Sequence, residues 1–192
     1  TPTYGFITES LVGYSAAEEA KLAEELKYNP ERSREILAAN GWVDTDGDGI
    51  VERDGVKAEF TCMYPAGDSA RQAIAMAAGE QVAKIGIRIN VEGLSWDNIM
   101  PRMFSEAVLM GWGSSTPSET YYLYRSEGAL LDDFYNPEGY VSQVTDGYLN
   151  AAMEVLTVED AYANWKKAQW DGKTGTAMQG ECPWVWIVNL DH

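Results

Sequence analysis

Hydrophobic and polar positions change their period several times along this chain, and each change marks an element. Ser15 opens an Ala-, Leu- and Glu-rich helical pattern over about 15–28. Asn29-Pro30 stops it and starts a second amphipathic helix ending near Asn40-Gly41, since proline suits a first helical turn and glycine a helix end. Residues 58–64 then alternate with period two, which predicts a strand. Asp68-Ser69 opens a long helix through Lys84, closed by Gly86, and 87–91 alternates again. Ser95-Trp96-Asp97 caps a short helix to about Ser105, and 107–112 is a third strand. The order strand, helix, strand, helix, strand predicts a parallel sheet with right-handed crossovers, hence an α/β fold with helices on the sheet. Loops and helices fill 119–174, including a helix over about 159–170, before a last strand at 184–188.

Length and composition narrow the function classes. At 192 residues, 45% hydrophobic and 11% aromatic, the chain reads as one domain over 1–192 that buries a core. Its formal charge of −16 opposes binding to phosphate backbones, so nucleic acid is excluded as a partner. No apolar run approaches a membrane span. Both ends look cut: Thr1 opens an irregular lead-in, and His192 follows an apolar run without a terminator. Cys62 and Cys182 lack the neighbours a zinc site needs and read as two small buried residues, a disulfide being the alternative.

Catalysis finds little support. His192 is the only histidine, and there is no G-x-S-x-G elbow, P-loop or dinucleotide fingerprint. Acid pairs such as Asp132-Asp133 and Glu18-Glu19 read as solvated surface, since nothing in their spacing brings two carboxylates across a cleft. A hydrolase using paired carboxylates and a non-catalytic interaction domain both stay open as readings at this point.

Two stretches carry candidate chemistry. Asp44, Asp46 and Asp48, followed by Gly49, match the first half of a calcium loop, with Glu52 as a further ligand; position twelve is Gly55 instead of the closing glutamate. Asp-Gly pairs also form ordinary turns, so calcium and a metal-free hairpin both stand, and no other cofactor is expected. The second stretch runs from Met110 into Gly111, Trp112, Gly113, Ser114 and Ser115. A strand that ends in glycine, indole and hydroxyls offers close backbone approach and polar contacts where α/β sheets bind ligands.

The segment YNPERSREILAANGW at 28–42, followed by DTDGDGI at 44–50, resembles the peptide/nickel (family 5) extracytoplasmic solute-binding proteins of ABC importers. QVAKIGIRINV at 81–91, MGW at 110–112 and CPWVWIV at 182–188 resemble, in order, that family's helix-to-strand step, cleft-lining strand edge and late Pro-Trp strand. The resemblance implies a periplasmic-binding-protein-like (type II) fold in which 1–192 is most of the second of two lobes. It further implies an extracytoplasmic protein, periplasmic or a cell-surface lipoprotein, that closes with its first lobe around a small or peptide-like solute and delivers it to membrane permease subunits. Trp112, Gly113, Ser114, Ser115, Glu119 and, at the margin, Arg102 would line the half-site. Peptide-binding relatives carry an aspartate three residues after the matching tryptophan, for the ligand's α-ammonium, whereas Ser115 stands here. That departure puts a simple peptide in doubt and leaves a cationic, sugar or opine-like solute open.

Overall fold

A computed structural model describes residues 15–112, 117–131 and 134–188. The chain divides into two compact units, Tyr28–Trp112 and Thr1–Lys27 with Gly113–His192.

In the 28–112 unit, helix α2 (Pro30–Ala39) starts where Asn29 accepts a hydrogen bond from the Arg32 N–H and Pro30 takes the first turn. Strands β1 (Glu52–Arg53) and β2 (Val56–Lys57) form a hairpin through Asp54 and Gly55, both at positive φ (53° and 78°), as a two-residue primed turn demands. The central strand β3 (Glu59–Pro65) leads into α3 (Ser69–Ala83), capped by Asp68, and then into β4 (Arg88–Leu94). Beyond α3, Gly86 turns the chain at φ 84°, where a Cβ would come within 2.7 Å of Val51. A short helix α4 (Trp96–Ile99) and a 3-10 turn (Met100–Arg102) precede β5 (Ala107–Val108). β3 pairs in parallel with β4 on one side and β5 on the other, giving the order β4-β3-β5. The mostly parallel sheet flanked by helices is therefore as expected. Met63, Ala75, Ile99 and Met103 fill the core beneath it, the larger side chains contributing about 1.5–3 kcal/mol each from burial.

Two expected strands differ. The third, read over 107–112, stops at 108: Leu109 N–H still donates to the Met63 carbonyl at 2.8 Å, but the next bond of the parallel ladder would need an N–H from Pro65, which has none. The one read over 184–188 does not form; this stretch contains only a single bridge residue, at 188, because a strand needs a ladder partner.

The other unit is helical. Helix α1 (Ala16–Glu25) is capped by Ser15, α6 (Gln143–Glu154) by Ser142 and α7 (Val158–Gln169) by Thr157, each side chain accepting from the N–H three residues on. A short α5 (Glu119–Tyr124) contributes Leu123 and Tyr124 to a core completed by Leu149, Ala152, Trp165 and Ala168. The 125–140 loop turns about fully buried Asn136, at φ 56°. Its Nδ2 donates to the carbonyls of Arg125 and Tyr140, both at 2.9 Å, and its Oδ1 accepts from Tyr140 N–H at 2.7 Å.

Candidate functional site

The strand order builds a site before any side chain is considered. Leaving β3, one crossover runs to β4 and the next returns past β3 to β5 on the opposite side, so the carboxyl ends of β3 and β5 flank a topological switch point. Ligands of open α/β sheets bind in the crevice outside such a point. Here that end carries the turn from Pro65 through Gly67 (φ 91°), the N-terminus of α3, exposed Gly111 and half-buried Trp112. Tyr64 lies across Gly93 of the neighbouring strand, where a Cβ would meet its hydroxyl at 2.7 Å.

Sequence reading passed over Arg71. Its backbone N–H donates to Asp68 Oδ1 at 2.9 Å, and its guanidinium Nη1 pairs with Asp68 Oδ2. Both contacts hold the Asp68 carboxyl below its ordinary range, the backbone bond foremost. Nη2 reaches Gly111, where a Cβ would stand 2.8 Å from it. The available signal was an arginine three residues after a capping acid.

The residues singled out from sequence fare differently. Gly113, Ser114 and Ser115 lie outside the described residues. Glu119 is the first residue of α5, in the helical unit. Arg102 spends its fork on acids: Nε and Nη2 donate to Glu106 at 3.1 and 2.6 Å, and Nη1 to Glu92 at 2.9 Å. These bonds, Glu106 first, raise the guanidinium's pKa and lower that of Glu106. Of the acid pairs, Glu18 meets Lys166 at 3.2 Å, and Asp132 and Asp133 lie outside the described residues.

Asp44, Asp46 and Asp48 do converge, with carboxylate oxygens within 4.8 Å of one another. Their other contacts are internal. Asp44 accepts from Gly47 N–H at 2.7 Å and Gly49 N–H at 2.9 Å, and Asp48 from Ile50 N–H at 2.9 Å. Lys57 places its ammonium between Asp46, at 2.7 Å, and Asp48. This pairing raises the lysine pKa, through Asp46 first, and lowers that of Asp48. Glu52 turns its Oε1 to the Thr45 N–H at 2.8 Å, leaving Oε2 buried with no hydrogen bond among the described residues. Gly55 stands at position twelve of this loop, and the Lys57 ammonium lies within the acid cluster.

In the helical unit, Trp184 and Trp186 stack at 6.4 Å, and Trp186 Nε1 donates to the Tyr124 hydroxyl at 3.1 Å. Tyr140 meets Tyr124 edge-on at 6.1 Å and donates to Glu181. Burial pushes the Tyr140 phenol up to about 12, with Glu181 adding to the shift. Desolvation of the Glu138 carboxyl raises its pKa to about 7.

Comparison with known proteins adds a family. The family described as bacterial extracellular solute-binding proteins, family 5 Middle, matches residues 1–129. The oligopeptide-binding protein AppA of Bacillus subtilis is 32% identical over 126 residues, which is 63% of this chain and 23% of that protein. Protein XP55 of Streptomyces lividans is 32% identical over 169 residues, 84% of this chain and 30% of its own length. The chain thus spans under a third of these relatives. The mannohexaose-bound periplasmic oligopeptide-binding protein of Thermotoga maritima shares the fold, with a TM-score of 0.74 at 15% identity over 88% of this chain and 32% of that one.

Proposed function

Because this chain belongs to the bacterial extracellular solute-binding proteins of family 5, we propose that it is most of the second lobe of an ABC importer's binding component. The intact protein captures a small solute in a cleft between two lobes and hands it to membrane permease subunits, without chemistry of its own. The observation that carries this reading is the switch point at the ends of β3 and β5, with Trp112 beside it. Trp112 supplies the aromatic wall; Gly113, Ser114, Ser115, Glu119 and, at the margin, Arg102 join it on the strength of the sequence resemblance, although Arg102 is held by Glu92 and Glu106. Relatives named for oligopeptides and a fold neighbour holding mannohexaose are consistent with a solute rich in hydroxyl and amide groups, which Ser114 and Ser115 suit better than a free α-ammonium. The protein works outside the cytoplasm, as a periplasmic protein or a cell-surface lipoprotein, and no helix of the described residues is long and apolar enough to cross a membrane.

Native mass spectrometry of the intact protein purified from its own source tests the reading. One defined solute, released on unfolding and unaltered by incubation, is the expected result. Turnover of that solute by the purified protein would replace import with catalysis.

We further propose that the Asp44–Gly55 loop is closed by Lys57 and needs no calcium. Titrating the chelator-stripped protein with calcium should leave the thermal midpoint unchanged. An upward shift at millimolar calcium would show that the ion displaces the lysine, with the buried Glu52 Oε2 as the natural added ligand.

A further inference from the structure

The switch-point crevice contains one cation whose engagement is incomplete. Arg102 engages all three of its guanidinium nitrogens with Glu92 and Glu106, and Lys57 is held in the Asp loop. Arg88 sits at the amino end of β4, away from the crevice. Arg71 differs: among the described residues its guanidinium makes its hydrogen bond through Nη1, to Asp68, while Nη2 extends to Gly111 at the end of the β5 segment. Asp68 is itself fixed, because it caps α3 through the Arg71 N–H and its own N–H donates to the Pro65 carbonyl at 3.1 Å. The guanidinium is therefore tied at one end to the turn leaving β3 and rests at the other on the backbone one residue before Trp112.

A Cβ at Gly111 would meet that arm and no backbone atom. Gly111 is absent from the positions with positive φ, so an alanine there meets no conformational penalty; its obstacle is Nη2, 2.8 Å from the Cβ position. Real Cβ atoms do not approach a heavy atom so closely, so either the arm or the strand end must move. The ladder cannot hold the strand end in place, since pairing with β3 runs out at Pro65.

We propose that Arg71 is a positioning residue of the solute wall: anchored by Asp68, it seats its Nη2 arm on the Gly111 backbone and so sets the direction in which Trp112 leaves the sheet. This rests on the reading of that strand end as a solute wall. Within it, Arg71 lies against the strand end where the ladder bonds stop and gives the indole a defined orientation before ligand arrives, which lowers the ordering cost of capture.

The test uses the intact protein labelled with 5-fluorotryptophan, in which the Trp112 fluorine resonance is identified by its loss in Trp112→Phe. Arg71→Ala is expected to shift that resonance and leave those of Trp184 and Trp186 in place. Arg71→Lys, which keeps a charge for Asp68 but lacks the second arm, should shift it likewise and guards against an Arg71→Ala protein that fails to fold. Gly111→Ala should displace the guanidinium arm at little cost to the thermal midpoint and so move the same resonance in the Arg71 background, yet leave it in place in the Arg71→Ala background. An unmoved Trp112 resonance in both Arg71 variants, a wild-type spectrum in Arg71→Lys, or a Gly111→Ala effect of equal size with and without Arg71 would each overturn the proposal. None of these readouts needs a solute, so a protein that carries none in the mass spectrometer would sink the binding reading and leave the Arg71 coupling to stand or fall separately.

Discussion

Replacing Trp112 with alanine in the intact protein should weaken capture of its solute by about 2–4 kcal/mol, a loss of about 30- to 1,000-fold in affinity. The magnitude follows from what the residue offers. An indole at the carboxyl end of the sheet is rigid, large and half-buried before ligand binds, so it contributes contact area at little ordering cost. Calorimetry with the solute identified by mass spectrometry measures the change, and circular dichroism of the variant checks that it remains folded. A loss below about 1 kcal/mol would place Trp112 at a rim and not at the centre of the wall. The same titration on the 192-residue chain alone should show little or no heat, because a half-cleft leaves the ligand wet on one side. Tight binding by that fragment would remove the two-lobed capture model while leaving the family membership untouched.

Asn136→Ala should destabilise the helical unit by about 3–5 kcal/mol, the largest effect on folding expected from a single polar side chain here. Three buried hydrogen bonds disappear together, leaving the Tyr140 N–H and the carbonyls of Arg125 and Tyr140 without this partner. Alanine must also hold φ at 56°, a left-handed conformation that asparagine tolerates and alanine resists. The two contributions separate experimentally. Asn136→Gly relieves the backbone and loses the same bonds, so its chemical-denaturation midpoint should lie between those of wild type and Asn136→Ala. Equal midpoints for the two variants would assign the whole effect to hydrogen bonding, and a near-wild-type Asn136→Ala would show that the loop does not depend on this residue.

Helix starts were the most legible part of the sequence, because a cap is a local device. Ser15, Asn29 and Asp68 each accept from the N–H three residues on, and all three were readable as caps from residue type and spacing. Strands β3 and β4 were legible from their alternation, though β4 runs on to Leu94. The converging aspartates and the prominence of Trp112 were legible too, since both depend on neighbours in the chain.

What the residue order could not show is whatever depends on a partner far along the chain. β5 is two residues long because Pro65, more than forty positions earlier, has no N–H to offer, and 184–188 lacks a ladder partner among the described residues. Arg71 gains meaning only when α3 folds over the sheet and brings its guanidinium to Gly111, and Lys57 enters the aspartate loop only after the β1–β2 hairpin turns it back. By itself, then, the sequence determined the α/β class, the starts of α1, α2 and α3 and the family to which the chain belongs, since period, caps and local motifs are properties of consecutive residues. The tertiary structure alone decided where strand pairing stops, that Lys57 reaches the aspartates of the loop and that Arg71 reaches Gly111, because each depends on atoms that only folding brings within a few ångströms.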